Sequence, residues 1–340
     1  MTNFSQIVDE TYVNSVESAV DRIFPVFFLS KPDQTGMPSD ITKKVIGIFD
    51  DLADKYGVSV NVLTGEEGKA GYEETFKHCK IWTHSFNKLE SGRHVTSMIR
   101  NKIIDIARTS YDSDWIYMLD DDVWFTYQYD ENDLEHSVET CDELHKVLKI
   151  WQYETSKCVI AHPDKRITLS AMPVVNKHMS NDILIDDIRV CQAVLMNIKN
   201  MANELVEYDE SQRIWEDFDL LINCAYHKLS AIGIQWPIHF KEIRPMFSES
   251  SSVNYDVKKL NELSINLYKK WGSKIIPYFR PNSGFSDALN IKVGTCRDWI
   301  DSGCPIEVDS FILEDLDDLQ MGKITFKDFS ERHIVKNDYK

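Results

Sequence analysis

The sequence predicts an α/β protein built on a mainly parallel, mixed sheet flanked by helices. Three observations carry that expectation. Short, nearly continuous apolar runs recur at Ile23–Ser30, Val58–Leu63 and Trp115–Leu119, as strands buried on both faces require. Between them lie stretches whose apolar residues repeat at helical spacing, so strand and helix alternate as in βαβ units. Each run stops in a polar loop, and the crevice beyond the strand ends of an open α/β sheet is where ligands sit.

The elements follow in order. Ile23–Ser30 (IFPVFFLS) reads as a strand entering the loop Lys31–Gly36. Ser39 and Asp40 can cap the next helix, whose Val45, Ile48, Phe49 and Leu52 share a face and which Gly57 closes. Val58–Leu63 is the second strand and leads into Thr64–Gly68; a helical stretch to His78 and a brief strand at Lys80–Thr83 come next. A helix from about Gly92 to Arg108, capped by Ser91, buries Val95, Ile99, Ile103 and Ile106 and leads into Trp115–Leu119.

Beyond the Asp120–Asp122 triplet the expected order is a helix over Glu131–Lys149 and strands at Lys157–Ala161, Ile167–Met172 and Arg189–Met196. A helix over Ile214–Leu229 and a short strand or turn at Trp236–Phe240 follow. The chain divides into a domain over 1–245 and a mostly helical extension over 246–340.

The 340 residues carry 55 acids against 38 Lys and Arg, a net charge of −17. That balance excludes a protein that coats nucleic acid or membrane by bulk electrostatics, but not one that touches DNA through a local patch. Tyr255–Arg297 is such a patch: eight Lys or Arg against three acids give +5, beside −22 for the remainder, with Tyr268, Trp271, Tyr278 and Phe279 interleaved. Lys269, Lys270, Trp271 and Lys274 are its candidate DNA contacts, through phosphate neutralisation and base stacking. The alternative is an amphipathic helix with a lysine-rich solvent face and aromatics in the core. No apolar run approaches the roughly 20 residues that span a bilayer, and the N-terminus lacks the pattern of a signal peptide. With seven scattered cysteines read as free thiols, the expectation is a cytoplasmic protein.

Three consecutive aspartates at the end of an apolar strand repel one another unless something neutralises them. Mg²⁺ or Mn²⁺ suits such a triplet, as a hard cation bound by one or two carboxylates and completed by substrate phosphates and water; the alternative is a solvated acidic turn. Glu216 and Asp217 fall in a first helical turn, where acids favour the helix dipole, yet a carboxylate there could also serve as a general base. His239, among apolar neighbours, is either a core histidine or a third metal ligand.

This ordered set resembles the GT-A type nucleotide-sugar glycosyltransferases. More narrowly, Gly92-Arg93 and Arg100-Asn101 ahead of Ile116–Val123 resemble the phage enzymes that glycosylate hydroxymethylated pyrimidines in DNA, with the hydroxymethylcytosine arabinosyltransferases of T-even-like phages as the nearest group. The resemblance covers about Phe24–Phe240. It implies a Rossmann-like nucleotide-sugar-binding sheet and metal-dependent transfer of arabinose or glucose from UDP-arabinose or UDP-glucose to hydroxymethylcytosine, in host cytoplasm. Asp120 and Asp122 would hold Mn²⁺ or Mg²⁺ together with His239. Ser30, Lys31, Thr64, Glu66, Arg93, Arg100, Asn101, Asp120 and Asp121 would line the donor site. Asp217, beside Glu216, would be the general base. Two other enzyme readings stay open: the same transfer to a glycan, lipid or protein, and a metal-dependent nuclease or phosphotransferase, for which the clustered ligands are few.

Overall fold

The computed structural model describes residues 10–85, 95–127, 136–171, 184–185, 192–212, 216–234, 238–242, 257–272, 275–278, 290–293 and 308–333. After α1 (Glu10–Ala19) the chain alternates β1 (Val26–Leu29), α2 (Asp40–Tyr56), β2 (Val60–Gly65), α3 (Lys69–Thr75), β3 (Lys80–His84), α4 (Val95–Ser110) and β4 (Trp115–Asp120). It continues through β5 (Val123–Tyr127), β6 (His136–Ser137), α5 (Cys141–Ala161), β7 (Arg166–Ala171), β8 (Leu184–Ile185), β9 (Ala193–Asn197) and α6 (Ile198–Asn203). Then come α7 (Glu216–Tyr226), β10 (Leu229–Gly233), β11 (Ile238–Glu242), α8 (Val257–Trp271), β12 (Ile275–Tyr278), β13 (Asn290–Val293), α9 (Ser310–Gln320) and α10 (Phe326–His333).

Eight strands form one sheet in the order β3-β2-β1-β4-β9-β7-β10-β8. β1 lies parallel to β2 and β4, whereas β9 runs against both β4 and β7. The mixed α/β sheet is therefore as expected, and its strand alternation shows why both faces are covered. Val26 and Phe28 point into a core shared with Phe49 of α2 and Trp151 of α5, while Phe27 joins Ile99 and Ile103 of α4 on the other face.

Local signals set the boundaries. Ser39 accepts the Thr42 N–H at 3.1 Å to start α2. Gly57, at φ 66°, ends it with its N–H on the Ala53 carbonyl. Three expectations are corrected. The helix expected over Glu131–Lys149 begins only at Cys141, after the short strand β6 at His136–Ser137. Lys157–Ala161 is the end of α5, not a strand: Thr140 and Glu143 form a capping box, and the buried face of Leu144, Val147, Leu148 and Trp151 continues at helical spacing to Thr155 and Cys158. The helix expected to reach Leu229 stops at Tyr226, because Lys228 takes a left-handed conformation (φ 57°) that turns the chain into β10.

The order of the sheet reverses at β1, with β2 and β3 on one side and β4 on the other. Leu29 pairs with both Leu63 and Asp120, so the carboxyl ends of β1, β2 and β4 open side by side at the switch point, where ligand crevices form. Asp121 and Asp122 then turn the chain into β5, which pairs with β11 and β6 in a small second sheet. A third core joins Phe218 and Ile222 of α7 to Ile265, Leu267, Tyr268 and Trp271 of α8 and to Leu316 and Phe329. No helix among the described residues is long and apolar enough to cross a membrane. The helix start and cap expected at Ser91 and Gly92 lie outside the described residues.

Candidate active site

The three aspartates after β4 have three different surroundings. Asp121 is buried and turned inward, where its Oδ2 accepts from Ser30 Oγ at 2.5 Å and from Thr42 Oγ1 at 2.8 Å. Ser30 Oγ also shares a hydrogen bond with the Tyr72 hydroxyl at 2.6 Å. Thr42 stands in the first turn of α2, so Asp121 faces the positive end of that helix as well as two hydroxyl donors. Asp120 keeps about a quarter of its side chain exposed (24%) and lies 3.3 Å from Arg100. Asp122 is buried. Part of the mutual repulsion that called for a cation is thus relieved by the protein's own donors.

Arg100 is the centre of the second group. The apolar residues at helical spacing in α4 hold this helix against the sheet, and the guanidinium is buried with them. Its Nη1 donates to Glu216 Oε1 at 3.0 Å and its Nη2 to Asp120 Oδ1 at 3.3 Å, with the Tyr208 ring 5.3 Å from the guanidinium carbon. Burial pulls its pKa down, but Asp120 and Glu216 outweigh that and hold it above the ordinary arginine value. Burial acts the other way on Glu216: against the opposing effect of Arg100, and helped by Asp217 and Asp120, it pushes the carboxyl up to about 7. Burial also raises the Tyr208 phenol.

Other expected site residues take up different work. Asn101 clamps the backbone of Tyr208 in both directions at 2.9 Å, its amide donating to the carbonyl and its oxygen accepting the N–H. It braces the strap at 208–212. Ser30 and Thr64 are both buried at the strand ends, and Ser30 spends its hydroxyl inside the protein. Lys31 and Glu66 are exposed in the loops that follow. Arg100 has its fork filled by two carboxylates, so it orients the acids instead of offering a free diphosphate clamp. Half-buried Asp217 stands beside Glu216 in the first turn of α7. Arg93 and Lys274 lie outside the described residues.

Three of the four expected DNA contacts fall among the described residues. Trp271 is buried with its indole N–H on Asp219 at 2.6 Å, so it offers no free ring face to a base. Lys270 lies between Asp209 and Asp219, and Lys269 pairs with Asp317 at 3.1 Å on the surface. The amphipathic-helix alternative holds for this part of α8. Sequence reasoning missed Thr42, Tyr72, Tyr208 and Asp209, because each meets its partner across a long stretch of chain and carries no local motif. The one available signal was a third acid, Asp219, on the apolar side of the α7 first turn.

Among the described residues no group of three or more His, Cys, Asp or Glu side chains is placed to hold a metal ion. Asp120 and Asp122 still offer two hard carboxylates at one strand end, a donor set that suits Mg²⁺ or Mn²⁺ when substrate phosphates and water complete it. β11 sets the His239 backbone opposite Thr126 of β5; its side chain lies outside the described residues.

No family model matches the chain, and no curated protein matches it. Among solved structures it is similar to S. aureus TarS 1–349 in complex with UDP-GlcNAc, at 8% identity and a TM-score of 0.46, covering 74% of this chain and 67% of that one. TarS 1–349 alone gives 8% identity and a TM-score of 0.42, with 73% of this chain and 65% of that one covered. The UDP complex of the same fragment gives 9% identity and a TM-score of 0.42 over the same shares. The chain thus covers 65–67% of the length of the TarS fragment.

Proposed function

We propose that this chain is a GT-A type glycosyltransferase that transfers a sugar from a UDP-sugar. The observation that carries the reading is the placement of Arg100 between Asp120 and Glu216 at the switch-point crevice. Acids that differ in exposure are gathered there beside the strand end that would receive a nucleoside diphosphate. Asp120 and Asp122 would hold Mn²⁺ or Mg²⁺, which supplies positive charge where the departing diphosphate builds negative charge. Arg100 keeps Glu216 and Asp120 at fixed separation. Asp217 is the general base: it takes the proton of the acceptor hydroxyl as that oxygen bonds to the sugar's anomeric carbon. The bond from that carbon to the diphosphate oxygen breaks, its electron pair leaves with UDP, and direct displacement inverts the centre.

The resemblance points to hydroxymethylcytosine in DNA as acceptor and to UDP-arabinose or UDP-glucose as donor. The inward-facing Trp271 and the paired Lys270 favour a second reading, the same transfer onto a glycan, lipid or protein hydroxyl. Two measurements separate them. Thermal unfolding with Mn²⁺ and a panel of UDP-sugars is expected to show stabilisation only when metal and nucleotide are both present; no shift with any of them overturns the transferase reading. Mass spectrometry of nucleosides from hydroxymethylcytosine DNA incubated with enzyme and donor then decides the acceptor. A nucleoside heavier by one sugar supports DNA, and an unmodified nucleoside with a donor that binds supports the second reading.

A further inference from the structure

Lys270, in the last turn of α8, reaches two carboxylates that belong to different walls of the candidate site. Its ammonium lies 2.6 Å from Asp209 Oδ2 and 2.8 Å from Asp219 Oδ1. Asp219 is fully buried and also accepts the Trp271 indole N–H. Asp209 follows Tyr208, whose ring lies against Arg100 and whose backbone Asn101 clamps. Asp219 sits in the α7 first turn that carries Glu216 and Asp217. A single ammonium therefore ties the strap at 208–212 to the start of α7.

We propose that Lys270 is a positioning residue of the candidate site, fixing the Tyr208 strap and the acid-bearing turn of α7 in the register around Arg100. α8 already adheres to α7 through Ile265, Leu267, Tyr268 and Trp271 against Phe218 and Ile222, and that contact supplies adhesion without direction. Asp209 and Asp219 converge on one point and would repel each other; the ammonium between them turns that repulsion into a defined separation. A buried ion pair gains little net stability because desolvation offsets its attraction, and its use is to fix geometry. Around Glu216 stand Arg100 from α4, Asp120 from β4, Tyr208 from the strap and Asp217 from its own turn. Two of those four belong to pieces that Lys270 holds.

The effect on turnover rests on the transferase reading, whereas the pinning itself does not. The test uses the full chain with Lys270→Met and Lys270→Arg. Hydrogen exchange is expected to quicken about tenfold at 208–212 and 216–220 in Lys270→Met, with α2 unchanged. With Mn²⁺ and a UDP-sugar that the wild type uses, kcat is expected to fall about tenfold in Lys270→Met as the α7 turn that carries Asp217 loses its place. KM for the donor stays within about twofold, because its diphosphate would sit at the β4 end. Lys270→Arg restores both readouts. Unchanged exchange, quickening in only one of the two segments, or quickening spread equally to α2 overturns the proposal. A wild type that neither binds UDP nor turns over removes the transferase reading and leaves the exchange arm to decide the pinning.

Discussion

Arg100 and Glu216 meet at 3.0 Å although 116 residues separate them in the chain. Their side chains keep only 8% and 15% of their exposure, and the same guanidinium reaches Asp120 at 3.3 Å. A pair this dry gains little from its own attraction once both charges have left water. What it fixes is the distance between the end of β4 and the start of α7. Removing one member is a different matter, because the charge left behind has no solvent to answer it.

Arg100→Met is therefore expected to cost about 3–5 kcal/mol of stability, read as a fall in the urea midpoint at constant slope. Arg100→Lys recovers only part of that, since an ammonium cannot present two parallel N–H donors to two carboxylates. The double variant Arg100→Met with Glu216→Leu is expected to be more stable than Arg100→Met alone. If it is less stable, the buried charge is not what makes the single change expensive.

A second prediction concerns pH. Glu216 is raised from 4.5 to about 7 by burial, with Asp217 and Asp120 adding to it and Arg100 opposing. The folded state then binds more protons than the unfolded chain between those two values, so stability falls as pH rises through that window. The Glu216 contribution is complete below about 4.5 and gone above about 7. Other acids titrate nearby: burial raises Asp219, whereas hydrogen bonds lower Asp33 and Asp142. Urea midpoints of wild type and Glu216→Gln across pH 5–8 separate the terms, with a difference that declines to about pH 7 and is flat beyond. A flat difference throughout would show an ordinary carboxylate.

The alternation of strand and helix up to Asp122 was legible because each element carries its own signal: the Ser39 cap, the Gly57 stop, the apolar run Ile116–Leu119. Local signals misled where a buried helix face ends in apolar residues, as at Val159 and Ile160, which read as strand and are the exposed end of α5. β10 escaped notice because its turn depends on one left-handed lysine. The candidate site was legible as residue types, and Arg100 does reach both Asp120 and Glu216. Its wiring was not. Ser30 reaches Asp121, Asn101 reaches Tyr208 and Lys270 reaches Asp209 only after the sheet has ordered itself, and no spacing in the chain encodes such pairs.

Two glycines should respond in opposite directions to alanine. A Cβ on Gly71 would stand 2.4 Å from the Gly36 carbonyl oxygen and 2.6 Å from Met37 Sδ. The loop after β1 and the start of α3 touch there backbone to backbone. Gly71→Ala must push that loop away, at about 1–3 kcal/mol. Gly47, inside α2, has nothing within 4 Å of a Cβ, so Gly47→Ala is expected to stabilise by about 1 kcal/mol through helix propensity. Thermal unfolding of both variants checks the pair. A neutral Gly71→Ala would mean that the loop gives way freely.

The acid triplet gives the sharpest contrast, because adjacent residues have separable work. Asp121 accepts from Ser30 and Thr42 and anchors the ends of β1 and α2 to the turn. Asp121→Ala removes the acceptor that both hydroxyls share, leaving Ser30 with Tyr72 and Thr42 with Ser39, and is expected to cost about 1–3 kcal/mol even without any ligand. Asp122 lies one residue further on and would share the metal with Asp120. Asp122→Ala is expected to change the unliganded midpoint by less than Asp121→Ala does, and to abolish the extra stabilisation that Mn²⁺ and UDP give together. The two variants thus divide the triplet into a structural acid and a ligand acid. Equal midpoints with retained Mn²⁺-dependent stabilisation in Asp122→Ala would move the metal away from this strand end.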